Sequence, residues 1–410
     1  MVSSPLLLRG GRVLRSGSAR PERLDIEIGV DGRIAHLGPR AEGPATAKVI
    51  DLKDKLVSPG LIDVHQHLDK TRTLRAISNP SGTLAGAVSA FNDYAAKISP
   101  EDLHRRADRT VEACLARGTV AIRTHANVDP VLQVRAVEML VQLRERWRPR
   151  VRIQVVAFVT AGATRMGATA QGWLDDAIRA GADVIGGTPA ISDDPAGFLD
   201  MLFDAAERHD LPIDLHLDEH LDASRQSFDE VIERTKARKM SGRVAIGHCS
   251  ALSAMKPDDA RRVIAGFAQA GISVITLPTA NLFLQGREAE MLPPRGLTRV
   301  KELLEAGVRV AAGTDNIQDP FVPVGTGDML EIARWTLLAG HLGTSELGRA
   351  FAMVTQAPAD IMGFGKDYGI HEGARADLII SDAEDAEDLV ASGPPIRSVL
   401  MEGRPVSGSL

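Results

Sequence analysis

Two histidines one residue apart, His65 and His67, close the apolar run Leu61-Ile62-Asp63-Val64. In a β-strand residues i and i+2 point the same way, so both imidazoles converge on one face. Similar placements recur downstream. His125 closes VAIRTH, His216 and Glu219 end PIDLHL, His248 closes RVAIGH, and Asp315 follows VRVAAGT. Three imidazole nitrogens and a carboxylate oxygen, from His65, His67, His216 and Asp315, make a donor set that suits one divalent ion such as Zn²⁺ or Fe²⁺. A lone histidine at a strand end is more often structural, and His-x-His by itself is a weak signal. Five strand-end histidines with an aspartate are hard to assign to packing. Cys249 follows His248, but no base stands at a defined spacing to activate its thiol.

The elements that would position these groups alternate along the chain. Eight apolar runs read as strands: 61–65, 120–125, 151–158, 183–187, 212–217, 243–248, 272–277 and 308–314. Amphipathic stretches such as LHRRADRTVEACLARG and PDDARRVIAGFAQAG lie between them and end in Gly, as helix C-termini commonly do. Eight strands alternating with helices predict an α/β fold with a parallel sheet closed into a (β/α)₈ TIM-type barrel. The chemistry-bearing residues then gather at the C-terminal rim, where barrel enzymes keep their catalytic groups. An open doubly wound sheet is the alternative, but no G-x-G-x-x-G follows the first strand. Both ends of the chain read as short strands joined by Gly-Gly and Asp-Gly turns. The expectation is one small β-sandwich domain built from both termini, 1–57 plus 366–410, around a catalytic barrel at 58–365.

Composition sets outer bounds. The 410 residues are 44% hydrophobic and 25% charged, ordinary globular proportions, with a formal net charge of -6. That balance argues against nucleic acid, whose binders usually carry a basic face. Two cysteines, Cys114 and Cys249, are too few for a disulfide scaffold and point to a reducing cytoplasm. The N-terminal run is broken by Arg9 and two glycines, unlike a signal peptide. No run of about 18 apolar residues predicts a membrane span.

The segment Ser58-Pro59-Gly60-Leu61-Ile62-Asp63-Val64-His65-Gln66-His67 resembles the opening signature of the amidohydrolase superfamily, and Gly373-Ala374-Arg375-Ala376-Asp377-Leu378 resembles its closing G-x-x-A-D-L motif. No carboxylatable lysine stands in DVIGGTP at the fourth strand, so the resemblance points to the mononuclear subtype. Within that superfamily the chain is similar to the bacterial cytosine deaminase branch, which includes s-triazine N-alkyl hydrolases. The likeness runs through HLDKT, SGTL, RTHANVD, QVVAF, HLDEH, NLFLQGR and DNIQDPF. It implies His65, His67, His216 and Asp315 as metal ligands. It also implies Glu219 as proton shuttle, His248 as the residue assisting the attacking water, and His125 as support for the metal site. A divalent metal lowers the pKa of water from 15.7 toward ~7. Asp315 would accept the water's proton, and Glu219 would protonate a ring nitrogen so that the amine departs. The expected partner is a small heterocyclic substrate, with neither nucleic acid nor membrane, in a homo-oligomer.

The departures bear on the substrate. Thr160 stands where the cytosine deaminases place a pyrimidine-reading glutamine, Asn316 where they have an aspartate, and Phe321 where they have a tryptophan. A hydroxyl has a shorter reach and one donor. With Lys70 and Gln285, these form the expected substrate-binding set. The chain keeps the deaminase acid and loses the cytosine reader, so the expectation is a hydrolytic deaminase of a cytosine-like ring other than cytosine. That ring should present an acceptor near Asn316. The alternative is a hydrolase of a cyclic amide or an N-alkylamino heterocycle, hydantoin- or triazine-like. The triazine hydrolases differ by a histidine and an aspartate in place of Asp218-Glu219.

Overall fold

The computed structural model describes residues 4–16, 18, 20–160, 167–395 and 397–409. The N-terminal strands are β1 (Leu6–Val13), β2 (Glu22–Ile28), β3 (Ile34–Gly38), β4 (Lys48–Asp51) and β5 (Leu56–Pro59). Eight barrel strands follow: β6 (Leu61–Gln66), β7 (Thr119–Val128), β8 (Arg152–Val159), β9 (Val184–Gly187), β10 (Ile213–Leu217), β11 (Val244–His248), β12 (Ser273–Thr276) and β13 (Val310–Ala312). The chain ends in β14 (Leu378–Ser381), β15 (Ser398–Met401) and β16 (Arg404–Ser407).

Both termini share one mixed sheet, ordered β16-β15-β14-β5-β1-β2-β3, with β4 also pairing β1. It closes on its own core of Leu6, Leu8, Ile26, Ile28, Leu378 and Leu400. β5 belongs to this sheet through antiparallel pairing with β14, and one residue later β6 opens the barrel.

The barrel strands are parallel and ordered as in the chain, from β6 to β13. Helices cover the outside. Pro100–Ala116 shows why: Ser99 caps it by accepting from the Asp102 N–H, proline opens it, and Leu103, Ala107, Val111 and Cys114 face the strands.

Closure between β13 and β6 is made in two places. Low in the barrel, the Met353 and Val354 carbonyls accept from Ala312 and Ile62. At the rim the chain of Asp315 pairs directly with β6: its N–H donates to the His65 carbonyl at 2.8 Å and its carbonyl accepts from His67 N–H at 3.1 Å. Asp315 is in the left-handed region, φ 60. Asp63 secures the preceding residue, accepting from Thr314 N at 3.1 Å and from Thr314 Oγ1 at 2.6 Å.

One expected strand end moves. β7 continues three residues past His125 to Val128, so His125 sits inside the barrel and Asn127 takes the rim. No break separates the two, because RTHANV pairs residue for residue with β8 through Val128 and Val159. The connection from β12 to β13, which holds Asn281, begins in helix. Pro278–Leu284 is a short helix opened by its proline.

Arg397 ties the terminal sheet to the barrel shell. It is 4% exposed, forks onto both Asp328 oxygens at 2.8 and 2.9 Å, and also donates to the Arg117 carbonyl. Arg397→Ala strands a shielded carboxylate. Chemical denaturation should show a loss of roughly 3 kcal/mol; wild-type stability would mean the fork contributes nothing.

Candidate active site

The rim of the barrel gathers the groups that the strand ends deliver. His65 and His67 come from β6, His216 from β10, His248 from β11, and Asp315 from the turn after β13. His65 Nε2 and His216 Nε2 are 3.2 Å apart, and His67 Nε2 and His216 Nε2 are 3.1 Å apart. Asp315 Oδ1 lies 3.2 Å from His67 Nε2 and 3.6 Å from His65 Nε2. The four ligand atoms face one point and all four residues are buried.

These residues fit a cation. Asp315 Oδ1 is buried with no hydrogen-bond partner. Burial, reinforced by neighbouring charged forms, drives His65, His67 and His216 well below the usual imidazole range. Neutral imidazoles facing one another with lone pairs inward repel unless something positive sits between them. Donor atoms around a cation at 2.0–2.1 Å stand ~3.3 Å apart in a tetrahedron, close to the 3.1–3.6 Å of the four contacts above. Two glycines make room: a Cβ on Gly313 would stand 2.8 Å from His65 Cβ, and one on Gly247 would stand 3.1 Å from His65 Cε1.

The proton-carrying candidates flank this cage. Glu219 Oε1 is 3.4 Å from His248 Nδ1, and His248 Nε2 is 3.9 Å from Asp315 Oδ2. Burial and the Asp315 charge push the Glu219 carboxyl well above its usual range. Burial lowers His248 to about 3. Asn281 Nδ2 lies 3.2 Å from His248 Nδ1, while Asn281 Oδ1 is buried without a partner. The same amide rotated by half a turn would accept from a protonated Nδ1.

A cavity of about 240 Å³ opens on the cage. Thr160, Lys70, Asn316 and Phe321 line it, together with Glu219 and His248. Gln285 does not; its amide donates to the Glu219 carbonyl at 3.1 Å and so steadies the backbone that carries the acid. Lys70 Nζ donates to Asn127 Oδ1 at 2.7 Å and to Asp69 Oδ2 at 3.1 Å. Asn316 is held on one side. Its Nδ2 donates to Asp319 Oδ2 at 2.7 Å, and Asp319 Oδ1 is already held by the Phe321 and Val322 N–H groups. The second Nδ2 hydrogen and the carbonyl remain for a substrate, so a ring acceptor can still be met here. The wall is apolar where Phe158 packs on His216, ring centres 4.2 Å apart. Ala161, next to Thr160, lies outside the described residues.

His220 and Cys249 stay outside the cavity lining. His220 Nδ1 accepts from the Asp222 N–H. The Cys249 thiol is buried and held well above its usual range by burial and the Asp218 charge, as an inert packing thiol would be. Sequence reasoning missed Asp63, Arg123, Asn127, Asp214 and Asp319. Asp214 stands two residues before His216 on the same strand face, and Asn127 two after His125. Extending the i, i+2 rule beyond the histidines would have found both.

The sequence matches the model of the amidohydrolase family over residues 48–407. A pterin deaminase from Rhizobium rhizogenes is 32% identical over 398 residues, 95% of this chain and 89% of that protein. The crystal structure of 5-methylcytosine deaminase from Klebsiella pneumoniae liganded with 5-fluorocytosine superposes with a TM-score of 0.90 at 28% identity, covering 99% of this chain and 98% of that one. That of N-isopropylammelide isopropylaminohydrolase from Burkholderia multivorans gives 0.85 at 32% identity, covering 99% and 98%. With its barrel, its buried His/Asp cage and this span of likeness, the chain belongs to the amidohydrolase family.

Proposed function

We propose that this protein is a hydrolytic deaminase that releases ammonia from a small amino-substituted N-heterocycle, using one divalent ion, Zn²⁺ or Fe²⁺, held by His65, His67, His216 and Asp315. The observation that carries the reading is Glu219, an acid kept protonation-prone by burial, lining the same cavity as the donor cage and 3.4 Å from His248. The likeness to pterin and 5-methylcytosine deaminases supports it. Two unbridged, buried cysteines suit the reducing cytoplasm in which we place the enzyme.

A divalent cation in the cage supplies Lewis-acid chemistry, making water a nucleophile at neutral pH. Asp315, with Oδ2 turned toward His248, accepts the proton that the attacking water loses. His248 Nε2, buried without a protein partner, is placed to hydrogen-bond the oxygen as it adds to the ring carbon. Glu219 protonates the ring nitrogen beside that carbon and then takes back the proton of the new hydroxyl, while the proton held by Asp315 passes to the amino group, which leaves as ammonia as the carbonyl forms. The apolar wall of Phe158 and Phe321 keeps the ring flat against the cage and limits competing water. Thr160 and the Asn316 amide read the ring edge, with Lys70 offering a donor.

A second reading has support of its own: N-isopropylammelide hydrolases are among the relatives, at 28% and 32% identity. In that case the bond cut is to an alkylamino group. Glu219 favours the first reading, because ring-nitrogen protonation suits loss of an amine from an amidine-like carbon.

Elemental analysis should find about one Zn or Fe per chain, lost in His216→Ala. Two tightly held ions would contradict the single cage. Asp315→Asn should fold yet lose nearly all turnover; a residual rate above about a tenth, well inside the usual general-base effect, would assign water activation elsewhere. An ammonia-release screen over pterins, aminopyrimidines, triazines and cyclic guanidines should find a substrate turned over at a kcat/KM of roughly 10⁴–10⁸ M⁻¹s⁻¹. Cytosine should fall below that range, by as much as ~10⁴-fold. Glu219→Gln should cut the rate ~10²–10⁴-fold. Cleavage confined to N-alkyl or ring-amide bonds, indifferent to Glu219→Gln, would replace the deaminase with the second reading.

A further inference from the structure

The cavity that opens on the cage continues beyond it. Phe158 stands against the cage, its ring centre 5.8 Å from that of His67 and 4.2 Å from that of His216. Lys70 Nζ lies 5.9 Å from the centre of the Phe158 ring and 5.2 Å from that of Phe91. Among the described residues Phe158 is in ring contact with the cage and Phe91 is not. Past Lys70, the same cavity is lined by Leu84, Val88, Phe91 and Val131.

Two segments build this outer lobe. The helix Leu84–Ala95 is capped by Thr83, which accepts from the Gly86 N–H, and anchored by buried Ala87, Phe91 and Ala95. Leu84, Val88 and Phe91 stand at i, i+4 and i+7 and so form one stripe. The second segment is the turn after β7, which carries Val131. Leu84, Val88 and Val131 are only half-buried. The polar groups nearby are turned on one another. Asp129 Oδ1 accepts from the Val131 and Leu132 N–H groups, and Asp129 Oδ2 accepts from Asn127 Nδ2. Asn127 Oδ1 in turn accepts from Lys70 Nζ. What the lobe offers a ligand is therefore chiefly hydrocarbon.

We infer that the substrate ring carries an apolar substituent, alkyl or aryl, on an edge turned away from the attacked carbon, and that Leu84, Val88, Phe91 and Val131 select for it. This rests on the deaminase reading above and concerns the part of the substrate that the cage does not touch. A cavity with its convergent polar groups at one end and an aliphatic stripe at the other fits a ligand built the same way. Burying the substituent takes its surface and the half-buried side chains out of water together. That binding energy is present in the transition state, so it raises kcat/KM.

The test is a chain-length series on cytosine and on pterin, each unsubstituted and with methyl, ethyl, propyl and butyl at C6. Ammonia release by the metal-replete full chain is measured, with calorimetric binding where turnover is slow. On at least one ring kcat/KM, or affinity, should rise about fourfold per added carbon, equivalent to about 0.8 kcal/mol. Val88→Asp and Val131→Asp should each flatten the rise, because a carboxylate then faces the chain. A flat wild-type series overturns the inference, as does a greater gain from a hydroxymethyl or carboxyl group at the same position. Variants that keep the full rise overturn it too. A gain seen only with the alkyl groups on the exocyclic nitrogen would put the leaving amine in the lobe and likewise overturn it. If no compound, substituted or not, turns over or binds, the function reading falls together with this one. Turnover of the parent rings without a gain removes this one alone.

Discussion

Four donor atoms, three of them imidazole nitrogens, crowd one point at the barrel rim, all within 4.8 Å of one another. Burial favours the neutral rings and disfavours the Asp315 carboxylate. A protein would not hold this arrangement for its own stability, since mutually facing lone pairs and a desolvated carboxylate are both costly. The cost makes sense when a cation occupies the point they share, and the rest of the barrel is built to hold them there.

The holding is done largely by backbone. Asp315 is pinned between the His65 carbonyl and the His67 N–H, so the contact that closes the barrel also sets the ligand distances. Asp63 fixes Thr314 just ahead of it, and Gly247 and Gly313 leave the space that His65 fills. Placing ligands on strands rather than on mobile loops gives the sub-ångström precision that a metal site demands. The cavity-lining Thr160, Asn316 and Phe321, by contrast, sit in the connections that follow β8 and β13. Connections at this rim are where barrels of one fold differ in what they bind.

Much of this was legible in the sequence, because two periodicities carry it. The alternation of apolar runs with amphipathic stretches marks the eight strands, and His-x-His at period two places two rings on one face. What escaped had no such period. His125 was read as a rim residue because a histidine after an apolar run mimics a strand end; pairing with β8 carries β7 on to Val128. The Asn316 amide was read as a donor to substrate, and its hold on Asp319, three residues on, through one of its two N–H bonds was not foreseen. Arg123 and Asp214 look like surface charges in the sequence. Only the closed barrel shows them facing each other at 2.8 Å in its interior.

The most direct test of the central claim is anomalous diffraction from crystals of the native protein at the zinc and iron absorption edges. The account predicts one peak, equidistant at ~2.0–2.2 Å from the Nε2 atoms of His65, His67 and His216 and from Asp315 Oδ1. No peak there, or a peak bound instead by His125 and Asp214, would contradict it.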